Sequence, residues 1–280
     1  MKTMLRIFCA CTAILLTSAC TNELDDFLLD ENGKPVYNEH IKSVSSNNIT
    51  VRKFRYDSSG KLIEDGSMMF YHKYSYGGDG NLKMVETAVD ESMYSYHVDL
   101  NKPPRGEVMT AENSTITSTS SYNYDSRGRL SKIEHYNKKD GENFELTSII
   151  LFDYEGEHIS RENIYDEKGN IAQYSDFEYD KNGNMTKERH FICIFEGTPE
   201  NPKLTYEYTY TYDDYKNPYQ VLNITGPSSY TGANNLLKIT SVWYTDDPRT
   251  ETATQSFVYN NNNGYPSKMK YDGGEEVYTY

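Results

Sequence analysis

Apolar and polar side chains alternate along much of this chain with a period of two. The alternation is clearest in residues 203–212, where leucine and tyrosine occupy one set of positions and lysine, threonine and glutamate the other. Successive side chains of a β-strand point to opposite faces, so one face of such a strand is buried and the other meets water. The pattern predicts antiparallel strands with one buried face.

A hairpin motif is best seen in residues 122–133. Tyr122 and Tyr124 share one face of a strand, and Asp125 then opens a turn in which its carboxylate accepts backbone amides. Gly128 can adopt the positive φ that closes a type I turn into a bulge, and Leu130 begins the return strand. The motif therefore predicts strand, tight turn and strand.

Variants of this motif recur along the chain, at residues 54–62, 74–82, 152–156, 164–171, 177–185, 257–266 and 278–280. Their spacing leaves room for one strand and one turn but not for a crossover helix, so sequence neighbours should be antiparallel neighbours in space. We expect an all-β antiparallel meander of about fourteen to sixteen strands, forming an open or partly closed barrel-like sheet. It would be a single domain spanning residues 49–280, with an edge strand in the Thr/Ser run before residue 121.

The N-terminus has the pattern of a lipoprotein signal peptide. Lys2 and Arg6 precede an apolar run at residues 7–16, and the following Leu-Thr-Ser-Ala-Cys resembles a bacterial lipobox. We predict a signal peptide at residues 1–19, lipid attachment at Cys20, and a lipidated N-terminus and linker at residues 20–48. An ordinary signal peptide with an incidental cysteine is the alternative.

The acidic residues after Cys20 indicate where in the cell envelope the protein is placed. They resemble the export signal that sends lipoproteins of some gut-dwelling Gram-negative bacteria to the outer leaflet, although a plain acidic tether is the alternative. We expect a protein bound to the outer membrane through its lipid anchor, with cell-surface exposure. The net charge of −14 makes nucleic acid an unsuitable partner.

Composition limits the core and the covalent chemistry. The chain has 27 tyrosines and one tryptophan, so the core must be built largely from amphipathic rings. Cys193 is the one cysteine beyond the signal and anchor, which excludes a disulfide within the domain. We expect it to be buried and inert.

Two family resemblances follow from these motifs. The recurring Tyr-x-Tyr-Asp-x-x-Gly-x-Leu resembles the tyrosine-aspartate (YD, Rhs-like) repeat of bacterial shell-forming toxins and teneurins. The whole plan, including the Asp-Asp-Tyr-Lys-Asn-Pro turn at 213–218 and Asn-Gly-Tyr-Pro at 263–266, is similar to domain of unknown function family 4595, secreted lipoproteins with a porin-like fold. The resemblance covers roughly residues 45–280. It implies a fold and no activity.

A membrane-inserted barrel is disfavoured by residues 184–191. One face of this strand carries Lys187 and Arg189 and the other carries Glu188 and His190. A charged side chain facing lipid can cost about 2 to 4 kcal/mol at the membrane midplane. We expect a barrel in water, with membrane insertion as the alternative.

Catalytic and metal motifs are not recognisable. The six histidines stand far apart, residues 180–184 fit a turn better than a calcium loop, and residues 226–232 lack the Gly-x-Ser-x-Gly pattern of a nucleophile elbow. We therefore predict no catalytic, cofactor-binding or metal-binding residues and no enzyme activity. A glycosidase carboxylate pair could still form in space, because sequence does not give separations.

Binding is the function that the aromatic residues favour. Trp243, Tyr244, Tyr215, Tyr219 and Tyr230 are candidates for stacking on a glycan or meeting a protein partner. Ordinary core packing is the plain alternative for each ring. The sequence predicts a non-enzymatic cell-surface binding lipoprotein with a glycan or protein ligand. The alternatives are a structural envelope component and a glycan-active hydrolase.

Overall fold

The computed structural model describes residues 40–90, 106–139, 143–194, 197–244, 247–259 and 264–280. The predicted signal peptide, Cys20 and most of the predicted linker lie outside these residues. Among the described residues, no helix has the length and apolar character needed to cross a membrane.

Sixteen strands and one 3-10 helix make up the described chain. The strands are β1 (Ser43–Ser46), β2 (Ile49–Tyr56), β3 (Leu62–Ser67), β4 (Phe70–Tyr76), β5 (Leu82–Val89), β6 (Ser118–Tyr124), β7 (Leu130–Lys139), β8 (Asn143–Glu155), β9 (His158–Asp166), β10 (Ile171–Tyr179), β11 (Met185–Ile192), β12 (Lys203–Lys216), β13 (Asn234–Trp243), β14 (Arg249–Val258), β15 (Lys268–Tyr271) and β16 (Gly274–Thr279). The 3-10 helix, Pro218–Thr225, lies between β12 and β13.

Every strand pairs antiparallel with its sequence neighbours, and β1 pairs with β16 through Val44 and Tyr278. The sheet is therefore a closed up-and-down barrel, which confirms the all-β meander. The sequence left open whether the sheet closes, and the β1–β16 pairing closes it completely.

Two segments differ from the sequence-based prediction. Ser43–Ser46 was assigned to the linker but forms β1, because Asn47 and Asn48 adopt positive φ values of 51° and 63° and turn the chain tightly into β2. The Thr/Ser run before residue 121 was expected to be an edge strand, yet its last residues begin β6, which pairs with β5 and with β7. Closure of the barrel leaves no edge strand there.

The repeat turns form as predicted. Asp125 Oδ1 accepts the amides of Arg127 and Arg129 at 2.9 Å each, and the Gly128 amide donates to the Asp125 carbonyl at 3.0 Å. Gly128 has a φ of 79°. Asp57, Asp166 and Asp180 make the same carboxylate contacts in their own turns. These hydrogen bonds lower the pKa of the Asp125 carboxyl.

At the mouth formed by the turns after β2, β4 and β8, the tyrosine near each turn joins one hairpin to the next. The Tyr76 hydroxyl donates to the Leu62 carbonyl at 2.7 Å, and the Tyr154 hydroxyl donates to the Leu130 carbonyl at the same distance. A cation from the preceding hairpin lies over the ring, as Arg129 does at 4.1 Å from the Tyr154 centroid. Adjacent hairpins are thus held together by side chains as well as by strand pairing.

The inner face of the barrel carries most of the buried side chains. One cluster consists of Phe177, Met185, Tyr210 and Leu236. On the outer face, a smaller cluster of Tyr71, Ala88 and Met109 forms where residues 106–117 cover the wall. Cys193 is buried and free, as predicted.

Candidate functional site

One mouth of the barrel is covered by residues 217–232, which we call the cap. The turns after β2, β4, β6, β8 and β10 all lie at this mouth, because antiparallel strands place alternate turns at the same end. Where the repeat would place another tight turn after β12, the chain forms the 3-10 helix and a loop instead. The cap therefore differs from the five tight turns that follow β2, β4, β6, β8 and β10.

Asn217 organises the cap from within. Its side-chain oxygen accepts the Tyr219 amide at 2.9 Å, and its amide group donates to the carbonyls of Tyr230 and Gly232 at 2.7 and 3.0 Å. Pro218 occupies the first turn of the helix, where its missing N–H costs nothing. The two ends of the cap are thus fixed to one buried side chain.

The cap also reaches across the mouth. The Tyr219 ring lies 6.2 Å from the Phe54 ring and 5.9 Å from the Tyr278 ring, so it contacts β2 and β16. A Cβ placed on Gly226 would lie 4.0 Å from Phe152 of β8. The cap therefore sits against inner-face side chains on widely separated strands.

A cavity of about 360 Å³ lies between the cap and the repeat turns. Rings from four consecutive repeat hairpins line it, and polar groups from the turns and the cap complete the wall. The rings are Tyr76, Tyr124, Tyr154 and Tyr179, and the polar residues include Asn81, Glu157, His158, Asn223 and Ser228. The volume falls within the range of roughly 300 to 1,000 Å³ that is typical of small-molecule sites.

The hydroxyls of these tyrosines stay protonated at neutral pH. Burial raises the pKa of Tyr76 to about 12 and raises the pKa of Tyr154 as well. Because both hydroxyls donate to backbone carbonyls, the rings rather than the hydroxyls are what these residues offer a ligand. The site thus combines aromatic surface with hydrogen-bonding groups, including the carboxyl group of Glu157.

A second cavity, of about 260 Å³, lies on the other side of the cap and includes Tyr219, Tyr230, Arg52 and Glu276 in its lining. Two of the rings that the sequence singled out, Tyr219 and Tyr230, therefore come together here.

The other sequence candidates lie apart from this cavity lining. Trp243 packs against Tyr206 and Tyr208, with the Arg249 guanidinium 5.3 Å from its centroid. Tyr244 is exposed, and Tyr215 stacks on Tyr259 at 4.0 Å. The five candidates thus do not form a single platform.

The four cavity tyrosines were missed as a site by the sequence reasoning. Each belongs to a strand that ends at a repeat turn, and the tyrosine directly before the turn is the signal that could have found them. No local sequence pattern predicts that the cap lies over this row of rings and closes it into a cavity.

Two buried carboxylates lie two strands apart on the inner wall. Glu162 of β9 pairs in register with Ser175 of β10, and Glu188 of β11 pairs with Phe177 of β10. Burial, and secondarily the charge of Glu188, raises the pKa of Glu162 to about 7. Burial also raises the pKa of Glu188, which accepts a hydrogen bond from the Tyr210 hydroxyl at 3.0 Å.

Metal binding finds no support in the part of the chain that the structure describes, where no group of three or more His, Cys, Asp or Glu side chains has a metal-binding arrangement. Asp180 and Asn184 form a turn, with the Asn184 amide donating to Asp180 Oδ1 at 2.9 Å.

Comparison with known proteins supports the fold. A porin-like protein from Bacteroides vulgatus ATCC 8482 has a TM-score of 0.50 and 11% sequence identity, over 86% of this chain and 98% of that chain. A porin-like protein from Bacteroides uniformis ATCC 8492 has a TM-score of 0.44 and 12% identity, over 85% and 95% of the two chains. No family model and no curated protein matches the sequence. The class defined here is thus an all-β, porin-like barrel.

Proposed function

We propose that this barrel is a carbohydrate-binding protein and that a neutral oligosaccharide occupies the larger cavity beneath the cap. The observation that carries the proposal is the row of rings from Tyr76, Tyr124, Tyr154 and Tyr179 in one cavity with amide, hydroxyl and imidazole groups. Sugars present apolar C–H faces that pack on aromatic rings and hydroxyls that need hydrogen-bonding partners. Both kinds of partner lie within this cavity.

Calorimetric titration of the purified full chain with a panel of neutral oligosaccharides tests the proposal. We expect saturable binding that Tyr124→Ala weakens about tenfold, which corresponds to about 1.4 kcal/mol. Tyr124→Phe keeps the ring and should keep the affinity. Tyr165→Ala, on the outer wall, serves as the matched control. Equal affinity in Tyr124→Ala and the unaltered protein would rule out this cavity as the site.

A hydrolase is the second candidate function, and the Glu162–Glu188 pair is the observation that favours it. One buried carboxyl with a raised pKa beside a second carboxyl is the arrangement that glycosidases use, with one group protonated and the other ionised. We favour binding without turnover, because the larger cavity is lined by rings and turn residues while this pair lies on the inner wall outside it. Release of reducing sugar that is lost in Glu188→Gln would establish the hydrolase instead.

The proposed location is the cell surface, with the barrel in water and tethered through a lipid on Cys20. Cross-strand ion pairs on the outer wall support a watery environment, since Arg161 lies 2.6 Å from Asp176 and Lys187 lies 3.6 Å from Glu207. Such groups are costly in hydrocarbon. We expect Cys20→Ser to release the protein from membranes during fractionation, and a membrane-bound Cys20→Ser protein would contradict the anchor.

A further inference from the structure

The smaller cavity differs from the larger one in the side chains that line it. Much of its wall is apolar and comes from three places: the cap, β13 and the β14–β15 pair. The apolar side chains are Leu222, Leu236, Phe257 and Met269. A volume of about 260 Å³ limits an occupant to a small molecule.

The charges around this cavity do not balance. Arg52 is the one cation among its lining residues, and its Nη2 and Nε atoms lie 2.6 and 2.9 Å from Asp65 Oδ2. Asp65 is fully buried behind Arg52 and forms an ion pair with it. Glu276 is the one carboxylate among the residues that line the cavity, and Arg52 divides its charge between Glu276 and the buried Asp65. Burial raises its pKa, while the positive field of Arg52 and a hydrogen bond from Tyr219 lower it.

Aromatic rings form a further part of the cavity wall. Tyr219, Tyr230 and Tyr278 contribute aromatic surface to the lining. The Arg52 guanidinium already lies 5.6 Å from the Tyr219 centroid and 4.9 Å from the Phe54 centroid, which is within the distance of a cation–π contact. A cationic group is therefore compatible with this part of the barrel.

We propose that the smaller cavity binds a small amphipathic primary amine, with its ammonium group against Glu276 and its apolar body against Leu222, Phe257 and Met269. This site is separate from the carbohydrate site in position and in chemistry. The cap forms a wall of both cavities, but different residues of it face each one.

Phenethylamine is a suitable probe, and 3-phenylpropionate is its counterpart of opposite charge. Calorimetric titration of the full chain should show saturable binding of the amine and at least tenfold weaker binding of the acid. Glu276→Gln should weaken amine binding at least tenfold. Glu275→Gln is the matched control, because Glu275 is the adjacent residue of β16 and pairs with Lys268 at 2.8 Å.

Three results would overturn the proposal: no binding of phenethylamine, equal affinity for the acid, or unchanged amine affinity in Glu276→Gln. If Glu276→Gln does not fold, Leu222→Trp tests the same site, because the larger side chain fills the cavity from the cap. Amine binding that survives Leu222→Trp would place the site elsewhere. Tyr124→Ala should leave amine affinity unchanged, so the outcome does not depend on the carbohydrate proposal.

Discussion

The inner and outer faces of the barrel wall use charge in different ways. On the outer face, opposite charges lie across neighbouring strands, as in the pair of Lys73 and Glu86 at 3.0 Å and the pair of Lys187 and Glu207 at 3.6 Å. These side chains are partly exposed, and such pairs contribute between zero and about 1 kcal/mol each. The charges on the outer face therefore contribute little to stability and mainly keep that face hydrated.

On the inner face, charged side chains are buried and lie among specific partners. Asp65 is fully buried and lies within hydrogen-bonding distance of Arg52, of His72 at 3.0 Å and of Tyr74 at 2.6 Å. Glu162 is held beside a like charge. Buried groups with shifted pKa values, as in Asp65 and Glu162, are typical of ligand-binding sites. The contrast between the faces thus supports a functional interior.

Removal of the Asp65 charge is expected to cause the largest loss in the free energy of unfolding. In Asp65→Asn, Arg52 keeps its charge in a half-buried position without its carboxylate partner. We expect a loss of about 3 to 5 kcal/mol in the free energy of unfolding, measured by urea denaturation.

Glu64 provides the matched control, because it is the neighbouring residue on β3 and forms an ion pair with the exposed Arg55 on the outer face. Glu64→Gln should change the unfolding free energy by less than about 1 kcal/mol. Equal losses of unfolding free energy in Asp65→Asn and Glu64→Gln would contradict the proposed difference between the inner and outer faces.

Residues 106–110 pack tightly against the outer wall at Gly66. A Cβ on Gly66 would lie 2.1 Å from the Met109 carbonyl oxygen, so Gly66→Ala must push residues 106–110 off the wall. We expect a loss of about 2 kcal/mol in unfolding free energy. Gly78→Ala, where a Cβ has open space, is the control in the same denaturation series.

Glu162 should make the stability of the barrel depend on pH. Glu162 has a pKa of about 7 in the folded protein against 4.5 in the unfolded chain, so the folded state binds more protons between these values. Its contribution to stability falls as pH rises from 4.5 through 7. Glu162→Gln should therefore stabilise the barrel by about 1 to 2 kcal/mol at pH 8 and have little effect near pH 4.5.

Urea denaturation of Glu162→Gln at both pH values measures this difference, with the exposed Glu155→Gln as control. A gain that is the same at both pH values would show that the charge of Glu162 is not the cause.

The smallest effect is expected on the outer face. Lys187→Gln removes one cross-strand ion pair, with Glu207, and should lower the unfolding free energy by about 0.5 kcal/mol or less. High salt should abolish the difference from the unaltered protein. A loss of several kcal/mol would mean that the outer wall depends on its charges.

The repeat was predictable because its physics is local. Asp125, Gly128 and Arg129 interact within five residues of one another, so the sequence contains every partner that the turn needs. The alternation in β12 likewise predicted that Tyr206 and Tyr210 share a face. Barrel closure was not predictable, since it depends on β1 pairing with a strand at the other end of the chain.

The cap and the inner carboxylates were not predictable for a different reason. The role of Asn217 depends on carbonyls of residues 230 and 232, and a Pro-containing turn of ordinary length fitted the same sequence. Glu162 and Glu188 lie near the same part of the inner wall only because β10 pairs with both β9 and β11 in this register. Long-range register, rather than local propensity, creates both features.

The most direct test of a carbohydrate site under the cap is a ring-by-ring measurement of ligand contact. Nuclear magnetic resonance of the full chain with isotope-labelled tyrosine rings, titrated with a neutral oligosaccharide that binds, reports each ring separately. We expect saturable shifts at Tyr76, Tyr124, Tyr154 and Tyr179 and none at Tyr165 on the outer wall. Saturable binding that leaves those four rings unshifted would contradict it.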